Sequence, residues 1–246
     1  MKQTTTVRRL LRFIALLTPL TALAGSLAIS PPMPPESLAL ARYIASLQER
    51  DPFTESGPVE VTIDASLSGL HQQSRLVAVR QTDDSERIAY RVLETEGDAA
   101  VTRDVIAPCL AAERQLEGQP LSSILITPAN YTFRYMGEFA SGGASAYVFR
   151  IRPKKNRYGL IRGQLWIDSV TGAAVMQAGY FVKTSSPFVH RIEIVRDTQL
   201  QNGHPCVRIT RVRLETRREG RGYMTMTEFA PAAAAERSDI AIASSR

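Results

Sequence analysis

Cysteine, histidine and tryptophan are scarce in this chain of 246 residues, which has 2 Cys, 3 His and 1 Trp. The three histidines, His71, His190 and His204, are far apart, and no HExxH motif or finger-type pair of cysteines accompanies them. Zinc sites need several such ligands at short, regular spacing. The sequence therefore predicts no metal site.

Motifs of the common enzyme classes are also missing. The chain has no G-x-S-x-G, and Gly143-Ala144-Ser145-Ala146 lacks the second glycine and falls in a predicted hairpin turn. Gly220-Arg221-Gly222 lies between two predicted strands, without the following helix whose N-terminus would receive a phosphate. Neither catalysis nor a bound cofactor is expected.

No apolar run is long enough to span a bilayer, but the N-terminus has the pattern of a secretory signal peptide. Met1–Arg12 carries four basic residues and no acid, and the apolar stretch Phe13–Ala24 is too short for a transmembrane helix. Ala22-Leu23-Ala24 fits a small-x-small cleavage site. We expect a signal peptide at 1–24, a proline-rich spacer at 25–35, and a protein exported to a periplasm or secreted.

The basic charge of the whole chain depends partly on this signal peptide. Residues 1–24 hold four of the 30 Lys and Arg and none of the 24 Asp and Glu, so the net charge of +6 falls to +2 without them. A charge this small argues against nucleic acid as a partner.

The two cysteines, Cys109 and Cys206, both lie in the part of the chain that would be exported. An oxidising compartment permits a disulfide between them, whereas two buried thiols would behave as small apolar side chains. The spacing leaves both alternatives open.

Alternating apolar and polar residues predict about ten strands, with short turns between them. Val59–Leu67 is the clearest example, and from Asn130 onward nearly every segment is predicted to be a strand. Strand and helix do not alternate regularly, which argues against a parallel doubly wound sheet. The predicted fold is mainly β (α+β): a strongly curved antiparallel sheet, an unclosed half-barrel with helices on its concave face, over residues 36–229.

Two helices are predicted before the main run of strands. The first is Glu36–Arg50, entered at Pro35 and ended by Asp51-Pro52; the second is Val105–Leu116, with Asp104 as its N-cap and Pro108 in its first turn. The alanine-rich residues 230–246 have no apolar period, and we expect them to be a disordered tail.

The stretch GQLWIDSVTGAAVMQ, Gly163–Gln177, contains the only Trp and an Asp-Ser pair that could suggest a catalytic loop. Its residues alternate on both sides of a turn, Asp168 can accept hydrogen bonds from that turn, and Gly172 can take a positive φ. The pattern predicts a hairpin rather than an active site.

Basic residues concentrate around two predicted hairpins. The first set comprises Arg150, Arg152, Lys154, Lys155, Arg157 and Arg162; the second comprises Arg208, Arg211, Arg213, Arg217, Arg218 and Arg221. They could form a patch for anionic groups, or they could be the solvated outer face of a sheet, with Glu193, Glu215 and Glu219 as partners.

Apolar side chains at every second position define the other face. They could be ordinary core beneath the helices, or they could line an apolar cavity that holds an acyl chain. The candidate cavity residues are Phe133, Tyr147, Phe149, Ile151, Leu165, Ile167, Ile192 and Ile194.

Four segments resemble bacterial exported proteins that are outer-membrane lipoprotein-sorting-protein-like, in the group of the carriers LolA and LolB. They are GDAAVTRDVIAPCL, ITPANYTFRYMGE, GQLWIDSVTGAAV and ETRREGRGYMTMTEF, and the resemblance covers about Glu36–Phe229. It implies an open antiparallel half-barrel plugged by helices, which binds acyl chains without catalysis. This chain has no lipid-anchor cysteine at the cleavage site, and no carrier arginine is matched to a particular position.

The leading hypothesis is therefore a periplasmic, non-catalytic binding protein for a lipid or lipoprotein acyl chain. The alternative is an envelope interaction or sensor-type module that uses a basic outer sheet face and has no internal ligand.

Cleavage after Ala24 is the first testable prediction. The charged start, the short apolar stretch and the Ala-x-Ala sequence predict that N-terminal sequencing of exported protein begins at Gly25. Exported protein that retains Met1 would contradict it.

Overall fold

The computed structural model describes residues 33–47, 53, 57–68, 71–82, 88–114, 120–184, 189–216 and 220–230. The predicted signal peptide, most of the spacer and nearly all of the predicted tail lie outside these residues. Ten strands are present, as the alternation predicts. They are β1 Val59–Leu67, β2 Gln72–Thr82, β3 Ile88–Gly97, β4 Tyr131–Ser141, β5 Ala144–Pro153, β6 Ile161–Asp168, β7 Ala174–Phe181, β8 Val189–Gln201, β9 His204–Thr216 and β10 Arg221–Phe229.

All ten strands belong to one antiparallel sheet with the order β3-β2-β1-β10-β9-β8-β7-β6-β5-β4. Strands β4 to β10 form a meander in which each strand pairs with the next, and β1 then pairs with β10. Strands β3 and β4 are the two edges, so the sheet is not closed into a barrel. This confirms the predicted mainly β, unclosed half-barrel.

The hairpin turns follow from local chemistry. In the turn after β6, an Asp168 carboxylate oxygen accepts hydrogen bonds from the amides of Val170 and Thr171, at 3.2 and 2.7 Å. Between β8 and β9, Asn202 and Gly203 both have positive φ, 52° and 83°, as a tight hairpin with this pair requires. Gly163–Gln177 is therefore a hairpin, as predicted.

The first helix, α1, runs Pro35–Ser46, shorter than the predicted 36–50. The second helical segment differs more from the prediction. It begins at α2, Ala99–Val101, continues as a π-helical turn, Thr102–Ile106, and ends as α3, Ala107–Arg114. Among the described residues, no helix is long and apolar enough to cross a membrane.

The predicted N-cap at Asp104 is wrong, because the helical segment starts six residues earlier, at Asp98, whose carboxylate accepts a hydrogen bond from the amide of Ala100 at 2.8 Å. Asp104 lies inside the π-helical turn. That turn directly precedes Pro108, which has no N–H and whose ring would clash with a carbonyl in a regular α-helix. The wider turn lets the helix pass the proline.

Both helices cover the same face of the sheet. The registers place Leu165 opposite Gln177, Ile194 opposite Val212, and Val212 in turn beside Met224, so these side chains form one continuous face. Helix α1 packs on this face over β4 to β6, and the segment 99–114 packs on it over β1, β2, β9 and β10. The helices therefore lie on the concave face, where the alternation predicts them.

Candidate functional site

The apolar layer between α1 and strands β4 to β6 is the first candidate site. Ala39 and Tyr43 of α1 are buried against it, and we call this set the α1 layer. Its buried members are Ala39, Tyr43, Ile126, Tyr131, Phe149, Ile151, Leu160, Leu165 and Ile167, with Leu40, Ile44, Phe133 and Tyr147 packed at its margin. A second buried cluster lies beneath the segment 99–114.

The eight sequence candidates divide between these two clusters. Six belong to the α1 layer: Phe133, Tyr147, Phe149, Ile151, Leu165 and Ile167. Ile192 and Ile194 pack in the second cluster instead. Ile151, Leu165 and Ile167 are at most 1% exposed, and Phe149 and Ile194 are 3% exposed, so neighbouring side chains fill the space around these five.

The α1 layer reaches solvent at the edge strand β4. Here four aromatic side chains, the aromatic row, are in contact: Phe133, Tyr135, Tyr147 and Phe149. The Phe133 and Phe149 ring centroids are 6.5 Å apart, and Tyr135 lies 6.2 Å from Tyr147 and 5.7 Å from Phe149. Tyr135 is still 42% exposed, so the row leads from buried core to solvent.

A β-bulge in β4 ends the aromatic row. The register shifts between Tyr135, opposite Phe149, and Gly137, opposite Val148. Simple alternation would place Phe139 on the same face as Tyr135, but the bulge turns it to the other face. There its ring contacts Trp166, with the two ring centroids 5.1 Å apart. Phe139 is 51% exposed, so β4 presents one exposed aromatic side chain on each face.

Two tyrosines bring polar atoms into the α1 layer. The Tyr131 hydroxyl accepts a hydrogen bond from the Ile161 amide at 3.0 Å. Burial raises the pKa of Tyr43 well above its ordinary value, and nearby Tyr131 raises it further. Burial also raises the pKa of Tyr131. Both phenols therefore stay neutral, and the layer carries no charge that would oppose an apolar ligand.

The first turn of α1 is electrostatically coupled to the exposed end of the aromatic row. Partial burial raises the pKa of Tyr135, and the nearby carboxylates of Glu36 in α1 and Glu138 in β4 raise it further. Farther along α1, the Arg42 guanidinium donates a hydrogen bond to the Val170 carbonyl at 2.8 Å. The helix is thus attached at the β6–β7 turn.

A row of charged and polar side chains on the concave face was missed at the sequence level. Arg80 on β2 and Glu228 on β10 form an ion pair at 2.7 Å, and their side chains are 9% and 4% exposed. Arg208 on β9 is directly opposite Glu228, and its guanidinium lies 4.1 Å from the centre of the buried Phe53 ring. Arg196 on β8 donates to Thr210 at 3.3 Å.

A sequence signal for this row exists. Arg80 is in phase with the buried Leu76 and Ala78, and Glu228 is in phase with Met224 and Met226. A charged residue at an apolar position of a strand indicates a buried pair when another strand offers the opposite charge.

The two basic sets differ in how their charge is compensated. In the second set, Arg211 pairs with Asp197, and Glu193 is shared by Arg213 and Arg191. Arg208 lies on the concave face, and Arg217 and Arg218 are outside the described residues. The predicted solvated, paired sheet face therefore fits Arg211 and Arg213.

Three residues of the first set, Lys154, Lys155 and Arg162, line a groove of about 390 Å³. We call it the basic groove; its lining is Pro153, Lys154, Lys155, Asn156, Arg162, Tyr180 and Val182. Another groove, of about 520 Å³, is formed by β1, β2, β3 and β10, and the described residues that line the two grooves include none from a helix.

Within the described chain, no disulfide joins Cys109 and Cys206. Cys109 lies on α3 and packs partly buried against the second cluster. Cys206 lies on β9, where its thiol donates to the Gln199 carbonyl at 3.3 Å.

No family model and no curated protein matches the chain. Solved structures that are similar include a DUF1329 family protein from Desulfovibrio piger ATCC 29098, with 11% sequence identity and a TM-score of 0.42. The match covers 80% of this chain and 92% of that chain. The LolA superfamily protein NE2245 from Nitrosomonas europaea has 13% identity, 78% and 90% coverage, and a TM-score of 0.35.

A third similar structure is MucB, with 16% identity, 82% and 95% coverage, and a TM-score of 0.24. The second of the three belongs to the superfamily that the sequence resemblance names. All three TM-scores are below 0.5, so the fold assignment rests on the strand order and register of the chain itself.

Truncation of Leu165 tests how tightly the α1 layer is packed. Leu165 is 1% exposed, so Leu165→Ala should lower the free energy of unfolding by about 2–5 kcal/mol, measured by urea denaturation. Val170→Ala, at a residue that is 76% exposed, is the control and should change it by less than about 0.5 kcal/mol. Equal, small effects of both would mean that Leu165 borders open space.

Neutralising Glu228 tests the buried ion pair. Glu228→Gln leaves the Arg80 guanidinium charged and buried, so the free energy of unfolding should fall by about 3 kcal/mol. Glu60→Gln removes the same charge from an exposed site on the neighbouring strand and should have little effect. If thermal and urea unfolding give the same free energy of unfolding for the two variants, the Arg80–Glu228 ion pair does not contribute to stability as described.

Proposed function

We propose that this protein is an exported, non-catalytic binding protein that holds a lipid acyl chain at the margin of the α1 layer. The single observation that carries the proposal is the aromatic row, which continues the buried layer out to solvent at the edge of the sheet. Export to the periplasm or beyond is part of the proposal and is supported by the N-terminal signal pattern.

The position of the ligand follows from packing. Ile151, Leu165 and Ile167 are already covered by neighbours, so the middle of the α1 layer has no space for an added chain. At the β4 edge, in contrast, Tyr135 and Met136 are 42% and 43% exposed. We therefore place the acyl chain along the aromatic row, beside the start of α1.

The start of α1 adds further apolar surface at this position. Met33 and Leu38, which are 60% and 42% exposed, flank Glu36 in sequence, and Glu36 is close enough to Tyr135 to raise its pKa. An exposed apolar margin that joins a buried layer is typical of ligand-binding and interaction sites.

The energetics favour an acyl chain over a small apolar molecule. Each buried methylene contributes about 0.8 kcal/mol, so five or six methylenes along the row would contribute roughly 4–5 kcal/mol before the cost of immobilisation. The neutral phenols of Tyr43 and Tyr131 impose no charge on this hydrocarbon. The mostly filled layer predicts partial burial of the chain, with one end left at the edge of the sheet.

Palmitate binding to delipidated protein tests the proposal. Tyr135→Glu places a carboxylate in the aromatic row and should weaken palmitate binding at least about tenfold, because the charge would have to be desolvated against hydrocarbon. The measurement is titration with palmitate, followed by native mass spectrometry of the complex.

The matched control is Phe139→Glu. It puts the same charge on the same strand at a similarly exposed aromatic residue, but on the opposite face, so palmitate binding should be retained. Circular dichroism must show that both variants are folded. A wild-type protein that binds no palmitate, or equal losses in both variants, would refute the proposal.

A further inference from the structure

The basic groove carries an excess of positive charge among its described residues. Its rim is formed by Lys154, Lys155 and Arg162, and no acidic residue is among the described residues that line it. Within the described residues, no ion pair involves Lys155, Arg162 or the adjacent Arg150 and Arg152. The Lys154 ammonium donates to the Pro128 carbonyl.

The acidic side chain nearest to the groove along the sheet is already occupied. Tyr180, in the groove, is opposite Glu193 on β8. Glu193 accepts from Arg191 at 2.9 Å and also pairs with Arg213. Its single negative charge is therefore already shared between two arginines of β8 and β9.

The pairing of β5 with β6 places several cations on one face of the sheet. Arg150 is opposite Gln164, and the same antiparallel register carried one step further brings Arg152 beside Arg162. All lie on the face opposite to Ile151 and Gly163, which belong to the concave side. Two cations side by side on neighbouring strands repel each other, so the arrangement favours an anion between them.

Two tyrosines at this end of the sheet form cation–π contacts with neighbouring basic side chains. The Lys183 ammonium lies 4.2 Å from the centre of the Tyr158 ring, and the Arg191 guanidinium lies 4.4 Å from the centre of the Tyr180 ring. Tyrosines combined with exposed Lys and Arg are typical of surfaces at a membrane–water interface. A surface that binds an acidic protein segment through charge alone would not need these two aromatic rings.

We propose that the basic groove is the surface by which this protein docks on a membrane that contains anionic phospholipids, with a phosphate group seated between Arg162 and Lys155. The groove's volume of about 390 Å³ suits a single phosphate-bearing head group. Arginine offers phosphate two parallel N–H donors, and the lysines contribute non-directional charge.

This inference rests on the proposed function in one respect: a protein that binds acyl chains has to meet a membrane. The two sites are nevertheless at different places, because the aromatic row lies on the concave face at the β4 edge, whereas Arg162 and Tyr180 of the basic groove lie on the outer face. Among the described residues that line the groove, Val182 also packs against the α1 layer. Docking can therefore be measured without acyl-chain binding.

The experiment is sedimentation of the full-length exported protein with vesicles. We expect binding to vesicles of phosphatidylcholine mixed with phosphatidylglycerol, little binding to phosphatidylcholine alone, and loss of binding as salt rises. Lys155→Glu combined with Arg162→Glu should weaken binding to the anionic vesicles at least about tenfold. The milder pair Lys155→Gln and Arg162→Gln should give an intermediate loss.

The matched control is Arg75→Glu combined with Arg91→Glu. It makes the same change in net charge at exposed residues of β2 and β3, at the far edge of the sheet, and should keep most of the binding. Tyr135→Glu should dock like the wild type even though it loses palmitate, so failure of docking and failure of acyl-chain binding are distinguishable.

Three outcomes would overturn the inference. The first is wild-type protein that does not bind the anionic vesicles or binds neutral vesicles equally well. The second is equal binding by the groove variant and the control. The third is binding of poly-glutamate that is tighter than vesicle binding and lost in the groove variant, which would assign the surface to an acidic protein partner.

Discussion

The pairing of β1 with β10 is the contact on which the rest of the structure depends. Strands β1 to β3 and strands β4 to β10 are separate stretches of the chain, and among the described strands the ladder from Glu60–Phe229 to Leu67–Gly222 joins them into one sheet. Val61, Ile63 and Leu67 of β1 are at most 2% exposed, and Met224 and Met226 of β10 are 4% exposed. The segment 99–114 packs over this seam and completes the second cluster.

The same seam contains a buried ion pair. Arg80 and Glu228 are on the two strands that flank β1, so their ion pair spans it. Burying two charges costs several kcal/mol per ion, and their attraction offsets this cost only when the geometry is good. The pair therefore contributes little net stability, but it penalises any register of β1 on β10 that would separate the two charges.

The two faces of the sheet suit different partners for physical reasons. On the concave side, helix α1 covers most of the apolar surface of β4 to β6 and leaves an aromatic margin at the β4 edge, which favours hydrocarbon. On the outer side, acidic residues pair with the arginines of β8 and β9. The cations around the β5–β6 turn have no acidic partner among the described residues. The apolar surface and the cationic surface are thus separated by the thickness of one sheet. A phospholipid contains a group for each of them, a hydrocarbon chain and an anionic phosphate.

The sequence by itself determined the strands, the turns and the buried face. Alternation predicts β1 at its exact bounds and places Leu165 and Ile167 inward, and Asp168 and Asn202-Gly203 set their turns by bonds within a few residues. These features depend on neighbours in the chain. The sequence also contained the in-phase charges Arg80 and Glu228, but their meaning depends on which strands lie side by side.

Tertiary structure alone decided the features that depend on distant residues. The bulge at Met136 turns Phe139 to the outer face, because β5 sets the register of β4 on both sides of it. The helical segment starts at Asp98, whose backbone amide donates to Gln73 of β2 at 2.8 Å, rather than at Asp104. Whether Leu165 lines a cavity or is packed core depends on how closely α1 approaches β6. That distance is set by side chains from three strands and a helix, which no local pattern specifies.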